Sequence, residues 1–404
     1  MFFGSDIMKK CKSIPVIIAA VITLALAACA KESGNSSSRT EQDTIQVTTA
    51  ELTSEPVTEV VTEPAEQDPD HLYELLNSMS LEEKVGQMFI ARYPDENAAG
   101  LAAEYGLGGY IMFGKDFDGK TKDEVIASTS ELQQASKIPM LIGVDEEGGT
   151  VVRVSSNPKL YPSPFLAPKD YPHNGDNWDA VEKSESDKAD LLLSLGINVN
   201  LAPVCDITKN EDSFMYDRSF ADNPKDVSIF VVRTVGIYSD KKLGSVLKHF
   251  PGYGDNADTH TGSAVDDRSY SELANNDFIP FENGINAGAD SVLVSHNIVT
   301  SIDPDLPASL SDKIHQVLRR DLNFKGVIMT DDLSMEAIAD FAQDENAAVL
   351  AVKGGNDLVC CTDFESMCPA VISAVENEEI PIEQIDQSVM RILKWKQKLR
   401  LLDS

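Results

Sequence analysis

A single-domain (β/α)8 barrel of the TIM type, an α/β fold, is what this sequence predicts, and three observations lead to it. Short apolar runs recur eight times along the chain, longer amphipathic stretches separate most of them, and charged residues gather directly after the runs. Buried strands alternating with helices make a parallel sheet, and eight such units close into a barrel. A chain of 404 residues is long enough for one large domain with a sizeable core. Its formal net charge of -32 argues against nucleic acid or another polyanion as a partner.

Taken in order, the chain opens on a targeting segment. Lys9, Lys10 and Lys12 form a basic stretch. An apolar one comes next, from Ile14 to Leu26, broken by Pro15 and Thr23 and short for a membrane span. The run Leu26-Ala27-Ala28-Cys29 resembles the bacterial lipoprotein cleavage box, in which the cysteine becomes the lipidated first residue. Residues 1–29 are therefore expected to be a lipoprotein signal peptide with Cys29 as the lipidation site. Acyl chains there would hold the protein outside the cytoplasm on a membrane surface. Residues 30–69 are rich in Ser, Thr and Glu, with acids at Glu51, Glu55, Glu59, Glu63 and Glu66. Such a stretch cannot bury enough apolar surface to fold and reads as a self-repelling, disordered tether.

The folded domain is expected over 70–404. Leu72, Leu75, Leu76 and Met79 have helical spacing, and Ser80-Leu81-Glu82-Glu83 is a capping box that opens the next helix. The eight strands are expected at Gln87–Ala91, Gly109–Phe113, Met140–Val144, Asn198–Leu201, Ser245–Leu247, Ser291–Val294, Val327–Met329 and Asp357–Val359. Helices are expected at Lys122–Ser136, Asp179–Ser194, Asp226–Lys241, Ser311–Leu322 and Ile382–Leu401. The chain ends soon after the eighth unit, so no second domain is expected. Cys205, Cys360, Cys361 and Cys368 lack metal-site or redox spacing and are expected to be structural.

The chemistry should sit where the strands exit. Asp145, Glu146 and Glu147 come after the third run, Asp206 after the fourth, Lys248 and His249 after the fifth, His296 after the sixth, and Asp331 and Asp332 after the seventh. These are the C-terminal ends of successive strands, the active face of such a barrel. Beyond the fifth run, Pro251, Gly252 and Gly254 make an irregular loop that carries Asp255, Asp258 and His260. Three enzyme classes could use this ring. A glycosidase needs a carboxylate nucleophile and a proton donor. A Schiff-base aldolase would use Lys248. A metal hydrolase would use His249, His260 and His296, although no His-x-His or His-Glu-x-x-His is present. A surface lipoprotein that binds sugar without cleaving it is the reading outside enzymes.

Lys248-His249-Phe250-Pro251-Gly252, with Asp258-Thr259-His260 a few residues later, resembles the signature of bacterial β-N-acetylhexosaminidases of glycoside hydrolase family 3. Further motifs carry the resemblance from about Leu81 to Leu401. Val144-Asp145-Glu146-Glu147-Gly148-Gly149 with Arg153 is similar to the family's first sugar-binding motif, and Asp217-Arg218-Ser219-Phe220 to a second. Gly326 to Met335 is similar to the nucleophile motif. The resemblance implies that Asp145 binds sugar hydroxyls, that Arg153 braces it or the ligand, that Arg218 reaches the sugar, and that Lys248 and His249 grip the ring hydroxyls. It implies Asp331 as nucleophile, with His260 as proton donor oriented by Asp258.

Taken together, these motifs lead to the expectation of a retaining exo-β-N-acetylglucosaminidase, a monomer acting on muropeptide-like substrates without cofactor or metal. A β-glucosidase or a phosphorylase of the same family is the alternative. Three departures from the family pattern stand out: Tyr253 where His is frequent, a spacing from Lys248 to His260 one residue shorter than in some relatives, and Thr150 where Arg is commoner. His296 and Asp206 receive no assigned role.

Overall fold

The computed structural model describes residues 69–402 apart from 174, 176, 257, 258, 260–263, 340 and 342–345. Cys29, the expected signal and nearly all of the expected tether lie outside the described residues, as do Asp258 and His260.

In chain order the strands are β1 (Phe89–Arg92), β2 (Gly109–Met112), β3 (Leu141–Val144), β4 (Val199–Asn200), β5 (Gly244–Phe250), β6 (Val265–Asp266), β7 (Ser291–Val294), β8 (Ile298–Val299), β9 (Val327–Thr330) and β10 (Val359–Cys361). Eight of them form one sheet in the order β10-β1-β2-β3-β4-β5-β7-β9. Every neighbouring pair in it is parallel. A parallel bridge between Met329 and Leu358 brings the two ends of this sheet together. There Thr330 N–H donates to Leu358 O and Leu358 N–H donates to Ile328 O, each at 3.1 Å. The expected barrel is thus nearly closed, with helices between its strands.

Burial explains why the strands read as continuous apolar runs. β2, β3, β5, β7, β9 and β10 are buried along their whole length, as strands covered on both faces must be. In β1 only Arg92, at the pocket end, is exposed. Close packing leaves no room at some positions. An added methyl at Gly109 would lie 2.3 Å from the Leu141 carbonyl oxygen. The outer layer follows helical spacing, as where Ile385, Val389, Ile392 and Leu393 bury one stripe of the helix Ile382–Lys398.

Several boundaries differ from those expected of the sequence, each for a local reason. Ser80 caps the helix Leu81–Gln87 through a complete capping box, so Gln87 ends that helix and the first strand starts at Phe89. β5 runs on through Lys248 and His249 to Phe250, so these two residues lie inside the strand instead of beyond it. The last strand begins two residues later than expected, at Val359, which puts Cys360 and Cys361 within it. The helix expected over Ser311–Leu322 is α-helical only over Asp312–Gln316 and passes into a π-helical turn, Val317–Asp321. The small parallel pair β6 and β8 has no counterpart among the expected strands, because runs of two residues show no periodicity.

The seam between β9 and β10 turns on Asp357, which is 1% exposed. It accepts hydrogen bonds from Ile328 N (2.9 Å), Ser388 Oγ (2.9 Å) and Arg391 Nη1 (2.8 Å), and it also pairs with Arg319. Removing a buried partner leaves the opposite charges uncompensated, typically at a cost of about 3–5 kcal/mol. Arg319 and Arg391 keep some solvent contact, so the lower end applies. Asp357→Ala is expected to destabilise the domain by about 3 kcal/mol, measured by denaturant unfolding. A loss within experimental error would show that the seam does not depend on this carboxylate.

Candidate active site

The C-terminal ends of the barrel strands enclose a cavity of about 400 Å³ lined by Asp145, Glu147, Arg153, Arg218, Lys248, His249, Asp331 and Asp332, among others. Asp145, Arg153, Arg218, Lys248, His249 and Asp331 therefore meet in one place, whereas Glu146, Asp206 and His296 do not line it. In the ring of eight, β9 stands four strands from β3, so Asp331 and Asp145 approach the cavity from opposite sides.

The exit from β3 is built around two glutamates with different duties. Glu146 is fully buried and accepts hydrogen bonds from the backbone of Arg153 (2.8 Å) and Val154 (2.7 Å), and also pairs with the Ser155 hydroxyl. It thereby folds the next turn back and fixes where Arg153 starts. The turn needs glycine. Gly148 has φ +104°, and a Cβ there would lie 2.2 Å from the Leu166 carbonyl oxygen. Behind Glu146 runs a buried polar chain. Asn200 Nδ2 donates to the Glu146 carbonyl (3.1 Å), Tyr238 OH donates to Glu185 (2.8 Å), and Lys188 Nζ donates to Glu185 (2.7 Å) and to the Glu147 carbonyl (2.7 Å).

Glu147 is the centre of charge. Arg218 grips it with Nε (2.9 Å) and Nη2 (2.8 Å), and Lys248 Nζ lies 2.6 Å from its Oε1. Lys248 Nζ is also 2.6 Å from Asp145 Oδ1. Burial alone would push the Glu147 carboxyl up, but the facing Arg218 and Lys248 hold it well below the usual carboxylate range. The same pairing raises the Arg218 guanidinium further. Lys248 thus serves as an ion-pair bridge between two carboxylates, an arrangement unlike that of an amine nucleophile. Arg153 stands farther off, its Nη2 at 3.9 Å from Asp145 Oδ2.

Lys248 and His249 are consecutive yet both line the cavity. Strand alternation would send one of them outward. The register explains the exception. Leu247 pairs with Val292 and Phe250 with Val294, so β5 holds one extra residue, a bulge that re-aims its side chains. The His249 imidazole lies between Arg218 Nη2 (3.1 Å at Nε2) and Asp206 Oδ2 (2.7 Å at Nδ1). Arginine can only donate, so Nε2 accepts and Nδ1–H donates to Asp206. Burial raises the Asp206 carboxyl, but the facing imidazole and the N–H groups of Tyr253 and His249 bring it below its ordinary value.

Asp331 leaves β9 with its backbone N–H bonded to Val294 O at 3.0 Å. Its Oδ1 accepts from Asp332 N (2.9 Å), while Asp332 Oδ1 accepts from Ser334 N (2.9 Å). Asp332 thus caps the turn, and Asp331 is the acid whose position in the cavity is set by it. His296 braces the pair. Its Nε2 donates to the Asp332 carbonyl (3.0 Å), which leaves Nδ1 to accept from the Ser309 hydroxyl (2.7 Å).

Sequence reasoning missed Glu147 as a charge hub, the bracing roles of His296 and Asp206, and Arg92 altogether. Arg92 lines the cavity from β1, its guanidinium 4.1 Å from the centroid of Phe113. The available signal was the one used for the other strands, a charged residue ending an apolar run. Among the described residues, no group of three or more His, Cys, Asp or Glu is arranged to hold a metal ion.

Glu147 and Asp206 both titrate below their ordinary values in the folded chain. A lowered folded pKa contributes stability that is present above the unfolded pKa and lost as pH falls through the folded one. Stability should therefore decline on acidification from roughly pH 4 downward. Glu147→Gln is expected to make that decline shallower, to lower neutral-pH stability, and to weaken substrate binding through the loss of Lys248 and Arg218 alignment. Urea midpoints measured as a function of pH for both proteins check this. A variant with the wild-type pH slope would remove Glu147 from this role.

The same barrel occurs in known proteins. Residues 80–395 match the Glycosyl hydrolase family 3 N terminal domain. A β-hexosaminidase A of Pseudoalteromonas piscicida is 30% identical over 330 residues, 74% of this chain and 54% of the relative, so the chain spans about half of that protein. A β-hexosaminidase of Hydrogenovibrio crunogenus is 32% identical over 279 residues, 68% of this chain and 77% of the relative. The solved glycoside hydrolase family 3 β-N-acetylglucosaminidase of Paenibacillus sp. is 29% identical with a TM-score of 0.72, covering 81% of this chain and 64% of that one. The span 80–395 holds all eight barrel strands together with Asp145, Glu147, Arg153, Arg218, Lys248, His249 and Asp331, and the chain belongs to glycosyl hydrolase family 3.

Proposed function

We propose that this chain is a retaining exo-β-N-acetylglucosaminidase that removes terminal non-reducing N-acetylglucosamine by way of a covalent glycosyl-Asp331 intermediate. The observation that carries the reading is the cavity itself. Asp331 enters it from the side opposite Asp145, and Asp145, Glu147, Lys248 and Arg218 hold one another's charges in the same cavity beside His249. The names of the relatives, β-hexosaminidases and a β-N-acetylglucosaminidase, support the sugar.

In this mechanism the Asp331 carboxylate attacks the anomeric carbon as the glycosidic C–O bond breaks. His260, as imidazolium oriented by Asp258, gives its proton to the departing oxygen. The neutral imidazole then takes a proton from water as that water attacks the anomeric carbon and releases Asp331. A histidine suits both steps because its reference pKa lies near neutrality. Asp145, Arg153, Lys248, His249 and Arg218 hold the hydroxyls of the sugar. The substrates are peptidoglycan fragments, and the enzyme works as a monomer outside the cytoplasm, anchored by acyl chains on Cys29.

Asp331→Asn preserves size and removes the attacking charge. Activity on nitrophenyl N-acetylglucosaminide is expected to fall by several powers of ten with the fold intact by circular dichroism. A fluorinated sugar should label the peptide that contains Asp331. Labelling of Asp332, or full activity in the variant, would end the assignment. The same panel of nitrophenyl glycosides, run with and without phosphate, separates this reading from a β-glucosidase or a phosphorylase. Cys29→Ser is expected to release the protein from membranes or to block its processing. A wild-type protein found wholly in the soluble cytoplasmic fraction would overturn the anchor.

A further inference from the structure

Of the four Arg and Lys side chains that line the cavity, three stand beside a carboxylate. Arg218 and Lys248 are paired with Glu147 and Asp145, and Arg153 lies 3.9 Å from Asp145. Arg92 is different. It ends β1 in register with Ile111, another residue of the cavity wall. Among the described residues no carboxylate lies within ion-pair distance of its guanidinium, and the acid nearest in sequence, Asp95, is held by Lys115 at 2.5 Å.

What seats Arg92 is an aromatic ring. Its Cζ lies 4.1 Å from the centroid of Phe113, a cation–π contact. Phe113 comes two residues after Ile111, so both face the cavity. Its backbone is pinned: Phe113 N–H donates to Asp116 Oδ2 at 2.7 Å, and Asp116 N–H donates to Phe113 O at 2.9 Å. The Arg153 guanidinium approaches the same ring, with Cζ 5.9 Å from the centroid, and its Nε is buried without a hydrogen-bond partner. Two guanidinium groups thus share one phenyl ring and repel each other. An anion between them would relieve that repulsion and take up their open N–H donors.

Their place in the barrel indicates which part of a substrate they meet. Arg92, Phe113 and Arg153 stand at the exits of β1, β2 and β3, three consecutive strands. β5, which carries Lys248 and His249, is four strands from β1 in the ring of eight. Arg92 therefore faces the cavity from the side opposite the residues assigned to the sugar hydroxyls. N-acetylglucosamine is neutral and gives an unpaired guanidinium no charge to neutralise. The formal charge of -32 on the chain repels an anionic substrate at long range. An acidic group needs a local cation to be accepted, and Arg92 supplies one.

We infer that Arg92, seated on Phe113 beside Arg153, is a specificity residue that receives a carboxylate on the leaving group of the substrate. This rests on the function proposed above and adds the chemistry on the far side of the cleaved bond: the aglycone is an acid.

The test compares 3- and 4-carboxyphenyl β-N-acetylglucosaminides with their carbamoylphenyl counterparts, which have nearly the same size and no charge. Wild type, Arg92→Gln, Arg92→Lys and Phe113→Leu are assayed on all of them. Dividing the acid-to-amide ratio of kcat/KM in each variant by that of wild type cancels the intrinsic reactivity of each phenol. A hydrogen bond to a charged group is worth about 10–100-fold, and solvent at the exposed Arg92 favours the lower end. Arg92→Gln is expected to lower the acid-to-amide ratio on the order of 10-fold for at least one of the two ring positions, mainly through KM, with a several-fold smaller loss on the amides. Arg92→Lys, which keeps the charge without the planar fork, should recover part of the ratio. Phe113→Leu, which unseats the guanidinium, should lower it as well.

An acid-to-amide ratio that Arg92→Gln leaves at its wild-type value for both positions would overturn the inference. Inorganic phosphate as the occupant would overturn it too: with phosphate added, wild type would then release N-acetylglucosamine 1-phosphate, Arg92→Gln would lose that product, and acids and amides would respond alike. Should Arg92→Gln fail to fold, Arg92→Lys and Phe113→Leu decide. Failure of the underlying function looks different: the wild-type protein would then release no N-acetylglucosamine from any of these substrates.

Discussion

The pocket depends on one buried carboxylate. Glu147 takes a two-pronged grip from Arg218 and a direct contact from Lys248, which in turn bridges to Asp145. Two cations and two carboxylates are thus locked together at the floor of the cavity. Each ion has lost most of its water, and only the reciprocal pairing compensates for that desolvation. The array is rigid for the same reason, since no member can swing out without leaving another charge bare. A rigid array of fixed charges is what a hydroxyl-rich substrate requires, because its hydrogen bonds then form without reorganising the protein.

The barrel delivers this array by ordinary means with one local exception. Strand ends supply Asp145, Lys248, His249 and Asp331, and the buried chain from Lys188 through Glu185 and Tyr238 to Asn200 holds the β3 exit from behind. The exception is the bulge in β5, which turns two consecutive side chains to the same face. Without it, Lys248 and His249 could not both serve the pocket. The polar groups that brace the pocket are themselves buried and paired, as with Asp206 under His249 and His296 under Asp332.

Charge also has a global side. The chain as a whole carries a formal charge of -32, yet the cavity draws in Arg92, Arg153, Arg218 and Lys248. Basic residues are thus concentrated at the place where carboxylates must be held as anions.

Much of this was legible in the sequence. Apolar runs located all eight barrel strands because strands covered on both faces must be apolar throughout, and Ser80 with Glu83 marked a helix start because a capping box is a contact between near neighbours. Asp145, Lys248, His249 and Asp331 were recognisable by type and by their place after the runs, while Arg218 was named only through the family resemblance. What only the tertiary structure decided is which of them touch. Glu147 and Arg218 are 71 residues apart, His296 and the Asp332 carbonyl 36, and Lys248 and Asp145 103. The bulge that aims Lys248 and His249 exists only in the register between β5 and β7. Local patterns report burial and backbone preference, which each segment largely carries within itself. Ion pairing and strand register belong to pairs of segments, and they acquire a value only when the barrel closes and removes both partners from water.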